Sequence, residues 1–154
     1  MTVPTELSAE TTIAASPATV WSLVSDPTQM PKWSPQVVRT IVVPSPARLG
    51  SRMFNLNRQG LKRWPTTAKI VRFEQEREIA FRITENKTIW SFTLEPTADG
   101  GTRVVHQRQA PQGISALSKV LTKLALGGQE PFVAELQRGM AQTLERIKAE
   151  AESA

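Results

Sequence analysis

The segment spanning residues 13–35 constrains the fold more than any other part of the chain. A strand-like stretch ends there, and Ser16 followed by Pro17 is typical of a helix start, because serine accepts from the first free N–H groups and proline presets the first turn. Three apolar residues would share one face of this helix: Val20, Leu23 and Val24. Since one short helix cannot form a core alone, we expect it to lie against a sheet.

The rest of the chain supplies strands for such a sheet. Seven segments alternate apolar and polar residues or are rich in β-branched residues, which is typical of half-buried strands. The predicted strands are Glu6–Ile13, Gln36–Val43, Arg52–Arg58, Trp64–Phe73, Ile79–Thr84, Thr88–Glu95 and Thr102–Gln109. Residues 85–87 and 99–101 resemble hairpin turns, and Gly60 lies in the link between the third and fourth strands. A meander is therefore the simplest topology.

The apolar period becomes helical after Pro111. One helix is predicted over residues 114–126, and a longer one begins near Glu130 after a Gly-Gly pair at 127–128. The apolar stripe of the longer helix consists of Phe132, Leu136, Met140, Leu144 and Ile147. The predicted fold class is α+β: a seven-stranded curved antiparallel sheet wraps around a long C-terminal helix, and two short helices lie between the first two strands. We expect one domain over residues 1–154.

Composition argues against several classes of function. The chain contains no cysteine and a single histidine, so we expect neither a disulfide framework nor a metal site of ordinary type. The net charge of +5 comes from interspersed residues without a nucleic-acid-binding motif, so no nucleic-acid partner is expected. No apolar run approaches the roughly 18–20 residues of a membrane span, and the N-terminus does not resemble a signal peptide. We therefore expect a cytoplasmic protein without stable membrane insertion and without a cofactor.

Five short segments carry a family resemblance. They are Ala15–Trp21, Leu23–Asp26, Met30–Pro35, Trp90–Glu95 and Gly100–Val104. In these segments the chain resembles the SRPBCC superfamily, whose helix-grip fold is shared by START lipid-transfer domains, the birch-pollen-allergen group and polyketide cyclase/dehydrase-like proteins. The last of these branches is the most similar. The resemblance covers nearly the whole chain and implies a deep, mainly apolar cavity between the sheet and the C-terminal helix, opening near the first helix pair.

Large apolar side chains are the first candidates for the wall of that cavity. An aromatic ring offers a rigid planar surface to a flat ligand, although each strand aromatic is equally compatible with plain core packing. Trp33 and Trp64 stand beside prolines near strand ends, where the resemblance places the cavity wall. The predicted apolar ligand-binding residues are Trp33, Phe54, Trp64, Phe81, Trp90, Leu117, Leu121, Leu136 and Met140.

His106 and Arg108 are the polar candidates, and they share one face of the last predicted strand with Val104. If that face points inward, a titratable group and a fixed cation lie in apolar surroundings. Arg108 then needs a carboxylate neighbour or an anionic ligand, because a buried unpaired charge is costly. The opposite phase would expose both side chains. No residue is assigned as catalytic, and His106 and Arg108 are the candidates.

Two functions compete on these grounds. The first is a non-catalytic binder or carrier of a small hydrophobic molecule, such as a lipid, a polyketide, an isoprenoid or a sterol-like compound, because cavity-type aromatics are abundant and reactive groups are few. The alternative is a polyketide aromatase/cyclase or a dehydratase-type enzyme, with His106 and Arg108 assisting proton transfer. A third use, as a protein-interaction module, would place a dimer contact at Gly139 on the last helix. We expect a monomer or a homodimer.

Overall fold

The computed structural model describes residues 6–110 and 129–153, in which a seven-stranded antiparallel sheet curves around a long helix. The strands are β1 (Glu6–Ile13), β2 (Val37–Val43), β3 (Arg52–Gln59), β4 (Lys62–Glu74), β5 (Glu78–Ile83), β6 (Ile89–Pro96) and β7 (Thr102–Gln109). The helices are α1 (Pro17–Val24), α2 (Met30–Trp33) and α3 (Gln129–Glu152), and a 3₁₀ turn at Pro27–Gln29 joins the first two. The helix predicted over residues 114–126 lies outside the described residues.

The order of strands in the sheet is β1-β7-β6-β5-β4-β3-β2. Strands β2 to β7 thus form the predicted meander. β1 pairs with β7, with Ala9 opposite His106, so the helical connection from β1 to β2 carries the chain from one edge of the sheet to the other. In doing so it lays α2 against β2 and α3, next to the concave face.

The start of α1 is capped as the sequence predicts. The side-chain oxygen of Ser16 accepts from the backbone N–H of Thr19 at 3.2 Å, and Pro17 occupies the first turn. Val20 and Val24 are buried on the face of α1 that packs against β6 and α3. The hairpin turns also match the sequence: Gly60 and Gly100 have φ values of 62° and 87°, which glycine adopts without strain.

Buried apolar side chains form two clusters, and α3 contributes to both. Leu144, Ile147 and Ala151, from its C-terminal half, belong to the larger cluster with the sheet, α1 and α2. Leu136 and Met140, from its N-terminal half, form a smaller cluster with Leu7 of β1. Among the described residues, no helix is long and apolar enough to cross a membrane.

Candidate ligand-binding cavity

A cavity of about 190 Å³ lies between the concave face of the sheet and α3. Strands β5, β6 and β7 form one wall, α3 faces them, and α2 with the residues leading into β2 closes one side. Of the residues that line the cavity, Trp64 is 38% exposed, whereas Trp33 is only 3% exposed. The apolar lining consists of Met30, Trp33, Pro35, Val37, Trp64, Phe81, Ile83, Trp90, Phe92, Leu136 and Met140.

His106 is buried in the β7 part of the cavity wall. Its Nδ1 lies 2.9 Å from the carbonyl oxygen of Ser91, and because a carbonyl only accepts, Nδ1 carries the proton and Nε2 is left as an acceptor. The imidazole stacks on Phe92 with ring centroids 4.1 Å apart and planes 2° apart. Burial lowers the pKa of His106 from 6.5 to about 4, and the bond to Ser91 only partly opposes this. The ring is therefore neutral at neutral pH.

Arg108 lies on the same face of β7 and is 3% exposed, so the inward phase of this strand is the one that the chain adopts. Its guanidinium carbon is 5.8 Å from the centroid of the Trp90 ring, within the range of cation–π attraction. The indole N–H of Trp90 donates to the hydroxyl of Thr88 at 3.2 Å, which orients that ring. Burial lowers the pKa of Arg108, but an arginine remains charged at neutral pH. A positive charge therefore lies in the wall of a mainly apolar cavity.

A second polar region of the wall, the polar row, consists of Asn55, Asn57 and Thr66 on β3 and β4. Thr40 donates from Oγ1 to Asn55 Oδ1 at 2.9 Å, and Asn55 Nδ2 donates to Thr66 Oγ1 at 3.4 Å. Asn57 Nδ2 donates to the same threonine oxygen at 2.9 Å and to the carbonyl oxygen of Trp64 at 3.2 Å. The polar row is thus a connected network rather than a set of isolated groups.

The structure brings most of the predicted binding residues to this one cavity. Those that line it are Trp33, Trp64, Phe81, Trp90, His106, Arg108, Leu136 and Met140. Leu117 and Leu121 lie outside the described residues. Within residues 6–110 and 129–153, no three His, Cys, Asp or Glu side chains lie close enough together to hold a metal ion.

Phe54 is placed differently from the prediction. It is 47% exposed on the outer face of β3, opposite Ile41 of β2, and does not line the cavity. Because side chains alternate along a strand, Asn55 and Asn57 face inward instead. The structure therefore corrects the assignment of Phe54: β3 turns its polar side to the cavity and an aromatic side chain to the outer face.

Sequence reasoning missed the polar row and Thr143, which also line the cavity. Alternation in β3 separates two faces, but it does not say which face is inside. The expectation that apolar residues face inward selects the wrong face here. For Thr143 a signal existed, because it follows Met140 by three residues and so lies on the buried stripe of α3.

Gly139 lines the cavity, whereas the interaction hypothesis placed it at an external dimer contact. A Cβ atom built on Gly139 meets no heavy atom of the described residues within 4 Å, the adjoining backbone of α3 aside. The missing side chain therefore contributes to the open space beneath α3.

Together these features define a class of protein: a helix-grip fold whose sheet and C-terminal helix leave a ligand-sized cavity between them. The chain belongs to the polyketide cyclase/dehydrase and lipid transport family, whose sequence model matches residues 4–152. This confirms the resemblance to the SRPBCC superfamily. Among curated protein sequences, none matches the chain.

Several solved structures share the fold. The two-domain aromatase/cyclase StfQ from the steffimycin biosynthetic pathway is similar with a TM-score of 0.75 and 12% identity over 98% of this chain, which spans only 51% of the StfQ chain. The ZhuI aromatase/cyclase from a Streptomyces species gives a TM-score of 0.73 and 14% identity over 96% of this chain and 93% of its own. The KanY protein gives 0.70 and 17% over 99% of both chains. At these identities the likeness concerns the fold alone.

Proposed function

We propose that the protein binds a small, flat hydrophobic molecule that carries an acidic or carbonyl oxygen. The observation that supports this most directly is the positive charge of Arg108 in the wall of a cavity otherwise lined mainly by aromatic and aliphatic side chains. A guanidinium offers several N–H donors in one plane, which suits a carboxylate or carbonyl oxygen. The apolar lining supplies the driving force for burying the rest of the ligand.

The size of the cavity favours a compact ligand. At about 190 Å³ it is slightly larger than the engineered cavity of about 150 Å³ that binds benzene. A ligand of one or two rings fits this space, whereas a sterol or a long acyl chain is too large for it. We therefore favour a compact aromatic or polyketide-like ligand over the larger lipids.

Binding of cinnamic acid tests this proposal, because it is a flat ring with a carboxylate at one end. We expect isothermal titration calorimetry to give a dissociation constant well below millimolar for the wild type and a loss of about tenfold or more in Arg108→Met, since charge-assisted hydrogen bonds are strong. Arg82→Met is the matched control, because Arg82 is exposed on β5 and should leave the affinity unchanged. Absence of binding to the wild type at millimolar concentration would contradict the proposal.

The alternative is an aromatase/cyclase or dehydratase-type enzyme, and its support is the presence of an imidazole and a guanidinium in the same cavity wall. The pKa of about 4 argues against His106 as a general acid at neutral pH and makes it a weak base. We therefore place binding first.

A single substitution separates the two functions. In His106→Ala, a binder should keep its affinity for cinnamic acid within a few-fold. An enzyme that uses His106 to move a proton should lose about two to four orders of magnitude in the rate of cyclisation of a polyketide-like substrate.

A further inference from the structure

We propose that the polar row recognises a hydroxyl group at the end of the ligand opposite to Arg108. This makes the ligand a flat aromatic or enolic compound with an acidic or carbonyl oxygen at one end and a hydroxyl at the other. The inference rests on the ligand binding proposed above and adds a second anchoring point to it.

Asn57 carries a hydrogen-bond acceptor that no described residue uses. The orientation of its carboxamide is fixed, because one of its two atoms contacts the carbonyl oxygen of Trp64 at 3.2 Å and must therefore be the N–H donor. The same Nδ2 donates its other proton to Thr66 Oγ1 at 2.9 Å. The oxygen Oδ1 is left without a hydrogen bond to any residue that the structure describes, and Asn57 lines the cavity.

Thr66 carries a hydrogen-bond donor that no described residue uses. Its Oγ1 accepts from Asn55 Nδ2 at 3.4 Å and from Asn57 Nδ2 at 2.9 Å, which uses both lone pairs of the hydroxyl. The hydroxyl proton itself meets no acceptor among residues 6–110 and 129–153. Thr66 therefore has a proton to donate, and it lies next to Asn57, which has a lone pair to offer.

A hydroxyl group is the natural complement of such a pair, because it accepts one hydrogen bond and donates another. A carboxylate only accepts and an ammonium only donates, so each would leave one of the two groups unpaired in a partly buried wall. Thr66 and Asn57 are both half-buried. Their hydrogen bonds therefore replace most of the hydration that a ligand hydroxyl loses when it binds here.

The two anchoring points are separated by an apolar surface. In the sheet, β5 and β6 lie between β4 and β7 and contribute Phe81, Ile83, Trp90 and Phe92 to the cavity. Three strand spacings of about 4.8 Å place β4 and β7 about 14 Å apart along the sheet. The side chains of Arg108 and Thr66 reach inward from these strands, so a ligand with one ring and a short conjugated arm can span the remaining gap.

Three acids that differ only in the para substituent test the inference: cinnamic acid, para-hydroxycinnamic acid and para-methoxycinnamic acid. The hydroxyl can both accept and donate, the methoxy group can only accept, and hydrogen can do neither. We expect para-hydroxycinnamic acid to bind the wild type about tenfold more tightly than cinnamic acid, and the methoxy compound to show no such gain.

Thr66→Val should abolish the preference for the hydroxyl, with the two acids binding within about twofold of each other. Thr67→Val is the matched control, because Thr67 is the next residue of β4 and its hydroxyl donates to Glu85 on the outside at 2.8 Å, so the tenfold preference should persist. Since the valine at 66 also removes a partner of both asparagines, Asn57→Leu provides an independent variant, and circular dichroism checks that each variant is folded.

The outcomes distinguish the two proposals. A preference for the hydroxyl that is lost in Thr66→Val and in Asn57→Leu but kept in Thr67→Val supports the inference. Equal affinity of the wild type for cinnamic and para-hydroxycinnamic acid overturns it and leaves binding in the cavity intact. If none of the three acids binds, the proposed function fails and this inference fails with it.

Discussion

His106 shows how one buried residue couples the cavity to pH. Its Nδ1–H is bonded to the carbonyl of Ser91, its ring is stacked on Phe92, and the side chain is only 5% exposed. The folded protein therefore holds the neutral ring, and burial keeps its pKa at about 4. In the unfolded chain the same imidazole has the ordinary pKa of 6.5. Below that value the unfolded chain takes up a proton that the folded protein does not.

The free energy of unfolding should consequently decrease on acidification over the pH range in which His106 titrates. The contribution of His106 to the free energy of unfolding is fully present above pH 6.5 and is lost as the pH falls towards 4. The difference between the two pKa values corresponds to about 3 kcal/mol. In His106→Gln, which cannot titrate, we expect the free energy of unfolding to change by about 3 kcal/mol less between these pH values. Urea unfolding followed by circular dichroism measures this. Parallel pH profiles for the two proteins would contradict the buried neutral imidazole.

The face that His106 shares with Arg108 and Val104 could be predicted from the sequence, whereas the inward direction of that face and the chemistry of the ring could not. Alternation in the last strand puts His106, Arg108 and Val104 on one face, and the structure places that face inward. The neutral state of the ring results from its burial, which outweighs the opposing bond to Ser91. The ring contacts Phe92 and Ser91, which belong to another strand. Their register against His106 is a product of the whole sheet and is not encoded near residue 106.

At the scale of elements, the sequence pattern predicts the buried face of α3 but not that of β3. The stripe of α3 was predicted correctly at Leu136, Met140, Leu144 and Ile147, because a helix between sheet and solvent has only one apolar side to bury. In β3 the rule of apolar residues inward failed. The cavity keeps part of the inner face from contact with α3, so polar residues are tolerated there, and the outer face keeps Phe54 at 47% exposure.

Gly139 allows the cavity to be filled from the helix side without disturbing the rest of α3. Gly139→Ala should raise the free energy of unfolding by about 0.5–1 kcal/mol, because alanine favours a helix more than glycine does and its Cβ meets no heavy atom of the described residues within 4 Å, the adjoining backbone of α3 aside. Gly139→Leu should occupy the cavity and weaken cinnamic acid binding by about tenfold or more. Ala141→Leu is the control, since Ala141 is exposed on the same helix. Equal affinity in Gly139→Leu and Ala141→Leu would show that the ligand does not lie beneath α3.

For the molecule as a whole, the cavity lies between the two apolar clusters, which Ala9 and Trp90 connect by packing against both. Trp33, Phe81 and Phe92 line it from the larger cluster, and Leu136 and Met140 line it from the smaller one. The sequence predicts the sheet, the helix and their order, because each depends on local patterning. It does not predict the volume left between the sheet and the helix. That volume depends on the distance of α3 from a curved sheet, which is fixed by the packing of both halves of α3.

This arrangement predicts that the C-terminal half of α3 contributes to stability alone, whereas its N-terminal half contributes to ligand binding as well. Ile147 is fully buried in the larger cluster and does not line the cavity, so Ile147→Ala should cost about 4 kcal/mol of stability and leave the affinity of the folded protein for cinnamic acid within about twofold. Met140 borders the cavity, so Met140→Ala should cost only about 2 kcal/mol, because part of its surroundings is already open, and should weaken binding about tenfold.

Urea unfolding and calorimetric titration of the same preparations separate the two effects, and Ile147→Val, with an expected cost of about 1 kcal/mol, replaces the alanine variant if that variant does not fold. The two positions form a matched pair, because both residues lie on the same buried stripe of the same helix. If Ile147→Ala and Met140→Ala weakened binding equally, the ligand would depend on the overall rigidity of α3 and not on the cavity between the two clusters.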